Sequence, residues 1–201
     1  MKERQLRLGI LPTAGTTWSQ DCGWLPTTHG LLRINEIVNA LKLGKISAIA
    51  IIGGSRLGGT PSEADVYTNY IRKHWEEVAV SIVIVDAKET CTNRDIPAAA
   101  KLIDIYFASY GIHFRQEAPI WVTSYKEHLD RIEFTLKNLR FSDIERQESG
   151  EESCYFGSYP NVSAAIEWVL TSITKIDPEW RWLGCPLVWL ANKRLYETSR
   201  E

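Results

Sequence analysis

The chain has 201 residues, 44% hydrophobic and 24% charged, enough to bury one sizeable core and suited to a single globular domain. Lys plus Arg (23) against Asp plus Glu (25) leaves a formal net charge of −2, so no global field draws the protein to nucleic acid or acidic lipid. No apolar run approaches the roughly 20 residues that span a bilayer, and the opening MKERQLRLGI lacks an apolar signal core, so a soluble protein in the cytoplasm, with no membrane partner, is expected.

Leu6–Leu11 predicts a first strand, and Leu31, Leu32, Ile34, Ile37, Val38, Leu41 and Leu43 recur at helical spacing until Gly44 supplies a stop. Between them, Pro12–Gly30 holds Trp18 and Trp24 and reads either as a lid or as a loop closed onto the core. Ala48–Ile52 is an unbroken apolar run typical of a strand covered on both faces. After a glycine loop, Ser62–Trp75 has helical periodicity, with Ser62 and Asp65 forming a variant capping box. Ser81–Val85 predicts another fully buried strand. Ile96–Tyr110 predicts a helix with Pro97 in its first turn and Gly111 after its end. Ile120–Thr123 and Glu127–Leu139 repeat the strand and helix pattern. This βαβα order predicts an α/β fold, three layers deep, with a mostly parallel central sheet and right-handed crossovers.

Beyond Arg140 the pattern weakens. Phe141–Gly157 is polar with a turn at SGEES, Val162–Ile176 reads as a helix, and Leu187–Tyr196 as a strand or closing helix. Trp168, Trp180, Trp182 and Trp189 fall in this part, which reads as a cap on the sheet or a homo-oligomer contact. Cys22, Cys91, Cys154 and Cys185 show neither CxxC nor metal-ligand spacing, so no metal is predicted; Cys91 is singled out because it lies in one of the strand-end loops.

Each polar or glycine-containing segment begins where a predicted strand stops, which is where ligands bind in open parallel α/β sheets. Gly53, Gly54, Gly58 and Gly59 precede a helix start, so a phosphate, carboxylate or hydroxyl-rich ligand could dock there; the alternative is a plain turn with Ser62 as cap and Glu63 as a first-turn acid. Neither GxxxxGK[ST] nor GxGxxG is present. Asp86, Thr92 and Asp95 follow the third strand, as ribose-binding or general-base groups or, for Thr92 and Asp95, as caps of the next helix. Ser124, His128 and Arg131 follow the fourth. His128 and Arg131 share a helix face, where the histidine, near Glu127 and Asp130, is either a titrating group or an exposed bystander.

Four pieces taken in order resemble the YdcF, SanA and ElyC-like family. They are Arg33 with Ala40, Leu41 and Gly44; IIGG followed by Ser62, Glu63 and Ala64; Thr92 with Asp95; and Val122, Thr123 and Ser124 leading to His128, Leu129, Asp130 and Arg131. The resemblance covers about residues 6–140. The chain departs from the family pattern in LPTAGTTW after the first strand, in Ile52 where a serine often stands, in Asp95 in place of asparagine, and in a serine-to-histidine spacing one residue longer. The resemblance implies a Rossmann-like fold and, for one branch, binding of S-adenosylmethionine; other branches are membrane-anchored and serve the envelope. On this basis a small-molecule ligand resembling S-adenosylmethionine is expected. Arg33, Gly53, Gly54, Ser62, Glu63, Asp86, Thr92, Asp95, Ser124, His128 and Arg131 are its candidate site, with Glu63, Asp86 and His128 as candidate acid/base groups. A hydrolase or transferase acting on a phosphorylated or glycan-derived substrate is the alternative enzyme reading. A non-catalytic interaction protein is the third.

Overall fold

The short apolar runs of the sequence become strands of one sheet. The computed structural model of the chain describes residues 6–54, 60–86, 92–150, 168–170, 172 and 175. Strand β1 is Leu8–Pro12, followed by a small ribbon of β2 (Thr16–Ser19) and β3 (Gly23–Pro26). Helix α1 (Thr28–Lys42), β4 (Ala48–Ile52), α2 (Glu63–His74), the single turn α3 (Glu76–Ala79) and β5 (Ile82–Asp86) follow. Then come α4 (Thr92–Ala108), a 3-10 turn at Arg115–Glu117, β6 (Ile120–Ser124), α5 (Lys126–Asn138) and β7 (Ile144–Glu148).

The main sheet has the order β5-β4-β1-β6-β7 with every pair parallel. From β1 the chain winds one way to β4 and β5, then crosses to β6 and β7 on the other side, so the order reverses between β1 and β6. Helices α1 and α2 cover one face of the sheet, and α4 and α5 the other. The architecture is the Rossmann-like three-layer α/β fold that the sequence predicts.

Alternation along each strand divides the core in two. Leu8, Ile10, Ala48, Ala50, Ile120 and Val122 meet Ile103, Phe107, Leu129 and Ile132 of α4 and α5. Leu11, Ile49, Ile51 and Trp121 meet Ile34, Ile37, Tyr67 and Ile71 of α1 and α2. Among the described residues no helix is long and apolar enough to cross a membrane.

The structure corrects four expectations. Strand β5 is not fully buried: it is an edge strand, and Val83 and Val85 stay 46% and 37% exposed. Helix α4 begins at Thr92 rather than Ile96, so Pro97 lies past its first turn, where it forgoes the hydrogen bond to the carbonyl of residue 93. The stretch after Arg140 contains β7, whose sequence IERQE carries one apolar residue. It is held by the backbone ladder to β6 and by Arg146, which reaches Glu133 and Asp130 of α5 at 2.7 Å each. The segment after β1 is neither lid-shaped loop nor core plug but the β2–β3 ribbon, with Trp18 and Trp24 edge-to-face at 5.5 Å and Trp18 62% exposed. Gly58, Gly59, Cys91, Cys154, Cys185, Trp180, Trp182, Trp189 and the predicted element Leu187–Tyr196 lie outside the described residues. Of the helix predicted over Val162–Ile176, the described residues are helical, and Trp168 is 71% exposed.

Candidate functional site

Burying a charge or a hydroxyl away from water costs free energy unless partners replace the water, so the placement of buried polar groups is informative. Twelve polar or charged residues are buried among those described. Two of them, Thr68 and Thr135, sit in helix interiors and donate to the carbonyls of Ala64 and Arg131 one turn back. The remaining ten, Arg33, Ser62, Glu63, Asp86, Asp95, Thr123, Ser124, His128, Arg131 and Ser149, all lie at strand carboxyl ends or in the first two helical turns that follow.

The sheet separates these residues into two groups. On the α1/α2 side, the candidates make identifiable structural bonds. Arg33 donates through Nη1 to the carbonyls of Pro12 (3.1 Å) and Thr13 (3.3 Å), and its guanidinium lies over the Tyr125 ring at 5.5 Å. Gly53 donates to the Asp86 carbonyl at 2.9 Å. A Cβ added at Gly53 would stand 1.8 Å from Thr13 Oγ1, so glycine is required there by the chain's own packing. At the start of α2, the backbone N–H of Glu63 donates to the Gly54 carbonyl, that of Ala64 to the Gly53 carbonyl, and that of Asp65 to Ser62 Oγ. The Ser62 hydroxyl in turn donates to Asp65 Oδ2 at 2.6 Å. The leading N–H groups expected to receive an anion are thus engaged within the loop, and Ser62 is the helix cap of the two sequence readings.

Glu63 has a specific task on this side. Its Oε2 accepts from the N–H of Gly15 at 2.9 Å, while the Tyr67 hydroxyl accepts from Ala14 N–H at 2.8 Å and donates to the Gly15 carbonyl at 3.2 Å. Thr27 Oγ1 donates to the Ala14 carbonyl at 2.9 Å. Three side chains therefore bolt the base of the β2–β3 ribbon to the sheet edge. No sequence motif announced this, although the Gly15 conformation (φ 96°) marks the turn they hold.

On the α4/α5 side stand Asp86, Asp95, Ser124, His128 and Arg131. Asp86 shares the strand face of Ile84, and Ser124 that of Val122, both in the core under these helices. Thr92 is the first residue of α4, and Asp95 lies buried in its first turn. His128 is not an exposed bystander: it is buried, its Nδ1 is 2.8 Å from Ser124 Oγ, and its ring stacks on Tyr125 at 5.3 Å. Asp130, which the sequence placed near it, points outward to Arg146. Arg131 is buried one turn along the same face. At the β1/β6 reversal, Thr123 shares the strand face of Trp121, on the α1/α2 side, and its buried Oγ1 has no hydrogen-bond partner among the described residues. Sequence reasoning did not count Thr123 among the candidates; a second polar residue near the end of an otherwise apolar central strand was the available signal.

The second group contains a hydroxyl and imidazole in contact, two acids and one guanidinium. It can accept from hydroxyls, balance a cation, hold a carboxylate or phosphate, and move a proton between Ser124 and His128. Among the described residues no cluster of three His, Cys, Asp or Glu side chains could hold a metal ion. Cys22, the free thiol described, is exposed on the ribbon turn. Comparison with family models, with curated proteins and with solved structures gives no match to this chain.

Proposed function

We propose that the chain is a small-molecule-binding α/β protein whose ligand, nucleotide-like and of the S-adenosylmethionine type, docks at the carboxyl edge of the sheet beside the β1/β6 reversal. The observation that carries this reading is the confinement of ten buried polar side chains to that edge. Asp86 and Asp95 suit ribose hydroxyls and a sulfonium cation, and Arg131 suits a carboxylate. Gly53, Ser62 and the start of α2 are left out of the ligand's share, since they are engaged with one another.

The test is a thermal-shift series with S-adenosylmethionine, S-adenosylhomocysteine, nucleotides and sugar phosphates. A ligand at 100 times its Kd stabilises by about 2.7 kcal/mol, and the shift is expected with the adenosyl compounds and to disappear in Asp86→Asn. Failure of every adenosyl compound to raise Tm would rule the reading out.

The Ser124–His128 contact favours a second reading, in which the site is a hydrolase or transferase acting on a phosphorylated or glycan-derived substrate with His128 as the base. Turnover that survives His128→Gln with an unchanged pH–rate profile would eliminate it.

A further inference from the structure

We infer that the groove at the opposite, amino edge of the sheet is a binding site for a small aromatic carboxylate. The groove is open to solvent, has a volume of about 440 Å³ between the 3-10 turn before β6 and the end of α5, and is lined by the exposed residues His113, Phe114, Gln116, Asn138 and Arg140 among others. That volume lies in the range of small-ligand sites. Next to it is a smaller pocket of about 120 Å³ walled by Phe107, Ile112 and Ala118, which shares His113, Phe114 and Arg115 with the groove.

The backbone at Arg140 points to function. Helices α1, α4 and α5 close with the same motif, in which a left-handed residue follows the helix and two N–H groups turn back to the last carbonyls. In α1, Gly44 bonds Leu41 and Lys45 bonds Ala40; in α4, Gly111 bonds Ala108 and Ile112 bonds Phe107; in α5, Arg140 bonds Lys137 and Phe141 bonds Leu136. The left-handed residue has φ 71°, 79° and 71° in turn. Glycine fills the position twice, as its freedom from Cβ strain dictates, and arginine fills it only where it lines the groove. A cation at a helix end complements the dipole, but α1 and α4 close without one at that position. In α5 that need is already met by Arg115, which donates to the Leu139 carbonyl at 3.1 Å.

Charge selects the ligand. Asp104, the acid beside the inner pocket, is matched by Arg115 through two bonds of 2.7 and 2.6 Å. Neither Arg140 nor His113 has an ion-pair partner among the described residues, and the side-chain amides of Gln116 and Asn138 stand beside them without hydrogen-bond partners there. A carboxylate on Arg140 with its ring over the 66% exposed Phe114 uses both halves of the groove.

The test titrates the ¹⁵N-labelled full chain with benzoate, following amide shifts, with benzamide as the uncharged isostere. Benzoate is expected to bind with Kd of about 1 mM, perturbing His113, Gln116 and Asn138. Benzamide should bind about tenfold or more weakly, as the loss of one charged contact implies. Arg140→Gly keeps the closing motif, so its Tm should equal or exceed that of the parent while benzoate affinity falls by about tenfold. Equal affinity for benzoate and benzamide, unchanged affinity in Arg140→Gly, or shifts confined to residues away from the groove overturns the assignment.

Discussion

Among the described residues ten polar side chains are buried at the carboxyl edge of the sheet, whereas at the amino edge Asp104 and Arg115 stay partly exposed and pair with each other on the surface. The two edges belong to the same strands, yet they tolerate change differently. A buried polar group depends on a specific partner, and removing either one exposes the full desolvation cost of the other. A surface pair is backed by water, and its loss is small. The carboxyl edge is therefore the less tolerant of change, and at the amino edge a surface pair such as Asp104 with Arg115 can be exchanged cheaply.

Three substitutions sharpen or break that contrast, from the largest effect down. Arg33→Ala strips the guanidinium from the carbonyls of Pro12 and Thr13 and from the Tyr125 ring, and is expected to cost about 3 kcal/mol or more in urea unfolding. A loss below about 1 kcal/mol would mean that the carboxyl edge is as tolerant as the amino edge. Ser62→Ala removes the cap of α2, with an expected cost of about 1 kcal/mol; a neutral result would argue against the closed loop seen here.

The smallest effect belongs to Glu133, on the solvent face of α5. Its carboxyl is held below the ordinary glutamate range chiefly by its hydrogen bond to Lys137, which with the help of Arg146 outweighs the opposing effect of burial. A depressed folded-state pKa stabilises above the unfolded value and is lost as pH falls through the folded one, so the window opens near pH ~4.3 and extends below it. Glu133→Gln should lower the urea midpoint by a few tenths of a kcal/mol equivalent at pH 7 and leave it unchanged at strongly acid pH. A difference that persists at acid pH would show a role other than charge.

Where burial was uniform, the sequence was easy to read: AIAII is strand β4 residue for residue, and Gly44 and Gly111 mark the ends of α1 and α4 because only a residue without Cβ adopts their φ freely. Strand β7 escaped because an edge strand needs no apolar run when its ladder and Arg146 anchor it. The end of α5 carries no glycine, so its turn at Arg140 gave no signal. For the candidate site, strand ends pointed to the edge where the buried polar residues gather, and His128 beside Ser124 was within reach of spacing on a helix. Local spacing does not record which side of the sheet a strand-end residue serves. Arg33 and Glu63 therefore read as ligand groups although their observed bonds hold the chain's own backbone.

The position of β1 in the sheet has a consequence for how the chain acquires its shape. β1 is made before both of its partners and pairs Leu8 with Ala48 on one side and with Ile120 on the other, so one of its edges waits for the roughly 110 residues up to β6 to be synthesised. At ribosomal rates of about 5–20 residues per second, that delay is several seconds. During it, β5-β4-β1 is a half-sheet with an open apolar edge, and the core face later covered by Leu129 and Ile132 is unfilled. Aggregation during synthesis, rather than instability of the finished fold, is the hazard this strand order builds in.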